Sequence, residues 1–240
     1  MLADKSKTFS AAKIIIVLVG VVVVAGAMLV VLGPVPVLPF KAGRYAREVA
    51  NRSGDRGQAA KNLLSLGFTA LPHARKMLAS DEYTTRYYGL SIIKQLREEN
   101  EGHEHDAEFE KAADEIVDMI AREDVPRNRT WALVTLTRVC FGRCDYVAKV
   151  VKYLDDPAEE VRQQMGGTMQ ALLNEYLPDH DTQWWKQWYE EHKDEVEAKA
   201  KQLKSGQLTA PSLSPQHKTF VPSEPAAVKP PADAPQGKNN

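Results

Sequence analysis

Hydropathic character changes twice along the chain. From Ile14 to Leu32 the 19-residue run IIIVLVGVVVVAGAMLVVL holds no charge and no strong hydrogen-bonding side chain. A helix of that length at 1.5 Å per residue comes close to the roughly 30 Å hydrocarbon core of a bilayer. It offers water no polar face, and buried core strands are several times shorter, so the run predicts a single transmembrane helix. From residue 44 to about 203 apolar residues instead recur three and four apart, the period of helices that each bury one face. Val161, Met165, Met169, Leu172 and Tyr176 form one such stripe, and Tyr83, Tyr87, Leu90, Ile93 and Leu96 another. Residues 204–240 contain seven prolines and few large apolar side chains. They bury too little surface to offset the entropy of ordering and read as a disordered, lysine-bearing spacer.

The borders of the apolar run carry further information. Residues 1–13 form a basic tail with Lys5, Lys7 and Lys13, the n-region of a signal sequence, and Ala25-Gly26-Ala27 resembles a cleavage site. The apolar run continues past that site to Leu32, which favours a retained signal-anchor over a cleaved peptide. Lys41, Arg44 and Arg47 follow on the other side, so the positive-inside comparison is nearly balanced. Lys13 abuts the run, whereas Gly33 to Phe40 is uncharged, and this places the N-terminus in the cytoplasm and the bulk outside, at a bacterial inner membrane. Pro34, Pro36 and Pro39 within residues 33–43 predict an extended, stiff spacer.

Three stretches of the periodic region align: LASDEYTTRYYGL from Leu78, IAREDVPRNRTWAL from Ile120 and LDDPAEEVRQQMGG from Leu154. In each an apolar residue closes a helix, an acidic or proline-bearing turn follows, and an arginine comes eight or nine residues on: Arg86, Arg129 and Arg162. Arg56, after Val49 and NRSGDRGQAA, makes a fourth. The intervals between them are 30, 43 and 33 residues, and the polar segment Glu99 to Glu108 reads as an insertion that lengthens the middle one. Asp81 and Asp156-Pro157 suit helix starts, and Ala59, Ala60, Ala132 and Gly166 permit close helix approach. The acidic turn, the arginine and the small residues three and four places later resemble the HEAT repeat, particularly its short bacterial form, over residues 45–177. The resemblance implies an all-α fold: a short α-solenoid of helical hairpins at residues 44–203, preceded by the transmembrane helix. Such hairpins cannot shelter their own stripes singly and must stack, with atypical helices at the ends. Thr182 to about Leu203, opening with Trp184, Trp185, Trp188 and Tyr189, fits as a capping helix whose tryptophans plug the stack, in preference to an exposed aromatic patch.

Composition adds exclusions. A net charge of −1 gives no basic field for nucleic acid. The glycines at 54–57, 142 and 166–167 lack the lysine and hydroxyl of a phosphate loop, and neither a nucleophile elbow nor a paired-histidine zinc helix occurs. His103 and His105 have metal-ligand chemistry but sit in the polar insertion, where a solvated loop is the simpler reading. No cofactor and no small-molecule substrate is expected. The two cysteines, Cys140 and Cys144 in CFGRC, flank Gly142 at a turn between paired helices. They are either a disulfide stapling the hairpin, if the domain faces an oxidising compartment, or two small buried residues.

Two functional readings follow. Helical-repeat arrays offer long binding surfaces, and the HEAT resemblance implies that the second helix of each hairpin lines the concave side. That side would present His73, Arg75 and Lys76, then Glu110, Lys111 and Asp114, then Lys149 and Lys152. Its mixed charge suits a protein or peptide partner, which makes a membrane-anchored, non-catalytic scaffold the expected function, with lipid contacted through Ile14 to Leu32. The alternative, kinship with HEAT-like bilin lyases or cofactor-attachment factors, rests on fold analogy alone.

Overall fold

The computed structural model describes residues 37–211 apart from 52, 53, 101, 103 and 178–180. The apolar run Ile14–Leu32, the basic residues 1–13 and the tail beyond Pro211 lie outside the described residues. Within them the elements are α1 Val37–Ala50, α2 Arg56–Leu64, α3 Leu71–Leu78, α4 Tyr83–Glu99, α5 Asp106–Arg122, α6 Pro126–Val139, α7 Val147–Val150, α8 Glu159–Leu173 and α9 Thr182–Lys204. Short 3₁₀ turns at Gly67–Ala70, Cys144–Tyr146 and Val151–Asp155 lead into α3 and flank α7. No strand occurs among the described residues, so the fold they form is all-α, and none of their helices is long and apolar enough to cross a membrane.

Local chemistry sets most boundaries. Asp55 caps α2 by accepting the Gln58 N–H at 2.9 Å, and Asp181 caps α9 by accepting from Trp184 at 2.8 Å. Pro126 opens α6 and Pro72 stands in the first turn of α3, positions where a missing N–H costs no intrahelical bond. Glu159 and Glu160 in the first turn of α8 suit the positive end of its dipole. Asn174, at φ 53°, stops α8 in the left-handed conformation. Because of that stop, Tyr176, expected on the α8 stripe, lies beyond the helix and is 85 % exposed.

Other boundaries differ from those the sequence predicts. Residues 37–43, within the stretch expected to be extended, belong to α1. Pro39 falls in the helix's first turns, where proline fits, and Ala42 and Val49 are fully buried on its inner face. The polar segment Glu99–Glu108 is only partly a loop, since Glu99 ends α4 and Asp106 begins α5. The 43-residue interval between Arg86 and Arg129 is instead filled by two helices of 17 residues each, against 9 and 8 in α2 and α3. Asp106 and Glu108 in the first turn of α5 favour helix there, and Arg97 of α4 reaches Asp106 at 3.0 Å. Asp81 does not cap α4; Glu82 takes the cap position, its carboxylate turned to Arg56.

The helices share one apolar core running from Ala42 to Val196. Helix α4 packs against α3 behind it and α6 ahead of it, α6 packs against α8, and α5 against α6. Small residues set the spacing. A Cβ at Gly89 of α4 would come within 2.8 Å of the Ala74 carbonyl oxygen in α3, so α4 and α3 touch backbone to backbone. Ala59, Ala60 and Ala132 are buried at comparable places. At the C-terminal end α9 turns back over α8 and the Cys144–Tyr146 turn. Trp185 is 1 % exposed, and a Cβ on Gly166 would meet its Nε1 at 2.9 Å. After α9 the chain bends again until Pro211 rests on Gly142, whose φ of 69° only glycine adopts without strain and where any Cβ would strike the proline ring.

Candidate functional site

The four arginines with common sequence context adopt one geometry. Each donates to a backbone carbonyl six residues upstream: Arg56 to Ala50 at 3.3 Å, Arg86 to Ser80 at 2.8 Å, Arg129 to Glu123 at 2.8 Å and Arg162 to Asp156 at 2.7 Å. The first three also fork onto the acidic residue that precedes the next such helix. Arg56 bonds both oxygens of Glu82 at 2.7 and 2.6 Å, Arg86 those of Glu123 at 2.6 and 2.7 Å, and Arg129 those of Asp156 at 2.9 and 2.8 Å. Forked pairs are the strong, directional form of arginine–carboxylate contact. The acids double as turn caps, with Glu123 accepting from the Val125 N–H and Asp156 from the Ala158 N–H. Burial alone would raise the Glu123 carboxyl, but the Arg86 fork, the Val125 N–H and the Asn128 amide outweigh it and hold it below its ordinary value. The fork to Glu123 correspondingly raises Arg86, and the fork to Glu82 raises Arg56. Arg162 has no carboxylate partner among the described residues and stands where the series ends.

The surface residues expected to meet a partner fall on α3, α5 and the α7 segment, around two adjoining depressions. The first, about 410 Å³, lies between Lys76 and Ala79 on one side and Glu115, Asp118 and Arg122 on the other. The second, about 650 Å³, lies between Asp114 and Asp118 of α5 and Lys149 and Lys152. They meet at Asp118. Four of the eight expected residues are engaged within the protein. Arg75 forks onto Glu115, with one contact at 2.9 Å, which raises its pKa; Asp114 accepts from Lys149 at 2.6 Å and from the Tyr146 hydroxyl at 3.1 Å; Glu110 accepts from Arg143 at 2.8 Å. His73 is half-buried beside Gly43 of α1, and burial, with Lys76 nearby, lowers its pKa. Lys76, Lys111 and Lys152 remain exposed to solvent.

Asp118, Glu115 and Arg122 line the grooves but are missing from the sequence-based set. Their signal in the sequence is that 111, 114, 115, 118 and 122 share one face of a helix at three- and four-residue spacing.

Cys140 and Cys144 are both free and buried. In this structure they are not bonded to each other and sit in the turn as small buried side chains, Cys140 at the end of α6 and Cys144 beneath α9. Burial raises both thiols. His103 lies outside the described residues, while His105 stacks on Phe68 with ring centroids 3.6 Å apart. Among the described residues no three histidine, cysteine or carboxylate side chains gather to hold a metal ion. Trp184, Trp185 and Trp188 pack on one another, and Trp188 stacks on His192 at 4.5 Å. No protein-family model matches the chain, and no curated protein or solved structure is detectably similar to it, so the geometry alone carries the functional argument.

Proposed function

We propose that the protein is a membrane-tethered adaptor: a short α-solenoid of HEAT-like hairpins, non-catalytic, that holds a protein or peptide partner along the groove of α3, α5 and the α7 segment. The repeated arginine geometry is the observation that carries this reading. A guanidinium tied to its own turn and forked onto the acid of the next is a coupling between neighbouring hairpins, and its recurrence at Arg56, Arg86 and Arg129 is what a stacked array requires. The groove in turn presents Lys76 and Lys152 among Asp114, Asp118 and Glu115, a mixed pattern suited to an extended polar chain more than to a phosphate backbone. The apolar run Ile14 to Leu32 supports the tether, with the repeat domain on the extracytoplasmic side of a bacterial inner membrane.

A photo-crosslinking side chain at position 118 of the full-length chain, activated in native membranes, is expected to capture one discrete protein. Reversing two exposed groove cations, Lys76→Glu with Lys152→Glu, is expected to abolish that capture while leaving the circular-dichroism melt unchanged. Capture of no discrete species, or capture indifferent to the double reversal, overturns the groove as the binding face.

A further inference from the structure

The N-terminal helix brings exposed apolar side chains and exposed cations together within a few residues. On α1, Ala42 and Val49 face the core, and the residues opposite them, Phe40, Arg44 and Arg47, follow one another at four- and three-residue steps along the outer face. Phe40 is 72 % exposed and Leu38, at the tip of the same helix, 52 % exposed. Exposed cations surround them: Lys41 beside Phe40, Arg44 over the Tyr45 ring and tied loosely to Glu48 at 3.4 Å, and Arg47 donating to the Gly43 carbonyl. An exposed aromatic flanked by arginine and lysine on one helix face is the composition of a helix that lies at a lipid headgroup layer.

The chain that precedes α1 decides the occupant. By sequence the apolar run ends at Leu32, and only residues 33–36 separate it from Val37. Even fully extended, that link spans at most roughly 18 Å, against a headgroup region of about 5–8 Å on each side of the hydrocarbon core. On the anchor reading, the first turn of α1 is thus held within about 18 Å of the hydrocarbon edge, close enough to reach the headgroup layer.

We infer that the first two turns of α1 form a membrane-surface foot: Phe40 inserts into the interface from the outer face, Lys41, Arg44 and Arg47 contact anionic headgroups, and the domain rests on the bilayer instead of being lifted away by a spacer. The foot rests on the anchor reading for Ile14 to Leu32. It orients the helical domain, because α1 joins the core through Ala42 and Val49, so the groove lies at a set height above the lipid.

Nitroxide accessibility in the full-length protein tests it. The native thiols are buried and have raised pKa values, so label directed to Phe40→Cys, or to Glu190→Cys on the exposed face of α9, reports those positions once the labelling of the unsubstituted chain is subtracted. In vesicles of phosphatidylcholine and phosphatidylglycerol, label at 40 is expected to be several-fold less accessible to a water-soluble nickel chelate than label at 190, and more accessible to oxygen. Adding Arg44→Glu and Arg47→Glu is expected to restore much of the nickel accessibility. Equal nickel accessibility at 40 and 190, in protein that still resists carbonate extraction, overturns the foot and leaves the anchor intact. Extraction of the chain by carbonate overturns both. Shielding at 40 that persists in detergent and rises with protein concentration assigns the surface to a second copy of the chain and overturns the lipid assignment.

Discussion

The two ends of the helical array are finished in opposite ways. At the C-terminal end α9, of 23 residues, folds back across α8 and the turn at Cys144, sinking Trp185 against Gly166 and tying Lys199 to Glu175 at 2.9 Å and Lys186 to Asp155. At the N-terminal end α1 packs with one narrow stripe and leaves Leu38 and Phe40 in solvent. A row of packed helices leaves an unpaired face at each end, which other parts of the chain or something outside the protein can cover. Here one end is closed by the protein's own tryptophans, while the other is left apolar and basic where the chain joins its hydrophobic run.

The contrast is broken most severely at the closed end. Trp185→Ala should cost about 3–5 kcal/mol, the range for emptying a buried tryptophan site, read as a fall in the urea midpoint. A loss below about 1 kcal/mol would mean that α9 does not seal the array. Next comes the interior coupling that both ends share. Glu123→Ala leaves Arg86 without its carboxylate and Asn128 without one of its acceptors, and should cost about 3 kcal/mol, as when one partner of a buried pair is removed. Because folding lowers the Glu123 pKa, its stabilisation is present above the ordinary glutamate value of about 4.3 and is lost as pH falls through the lower folded value. The drop in melting temperature on acidification from the ordinary value through the lower folded one should therefore be shallower in Glu123→Gln than in the parent. Gly142→Ala is smaller, about 1–3 kcal/mol for the left-handed backbone, with release of the segment at Pro211 visible as faster hydrogen exchange after Lys204. The least effect belongs to the open end. Phe40→Ser should change the unfolding free energy by less than about 0.5 kcal/mol, since an exposed side chain leaves no cavity.

Much of this was legible in the chain. Arg56, Arg86, Arg129 and Arg162 stood out by spacing, as did the acids of the intervening turns, because both recur in the same local context. Helix α9 was readable from Thr182 onward because Asp181 is a good cap and the tryptophans keep helical period. The face of α5 that lines the groove was there to be read as well, in the spacing of Lys111, Asp114 and Asp118.

What periodicity could not supply was partnership. Residues 99–108 have no apolar period, yet Asp106 begins α5 because Arg97 and the helix dipole favour an acid there, a gain that exists only once α4 is in place. Tyr176 continued the α8 stripe on paper, but Asn174 turns the chain left-handed at Leu173 and puts the ring in water. Nothing in the spacing of Arg75, Lys149, Asp114 and Glu110 distinguishes charges that pair across helices from Lys76, Lys111 and Lys152, which stay exposed to solvent; that choice follows from which helices lie side by side. The sequence by itself determined that these residues are all helical, where four arginines recur, and that an apolar run of membrane-spanning length precedes them, since each is a property of neighbours along the chain. Only the tertiary structure decided which acid each arginine grips, that the cysteines stay apart as buried thiols, and that Phe40 is left uncovered beside exposed cations, because those depend on residues dozens of positions apart meeting in space.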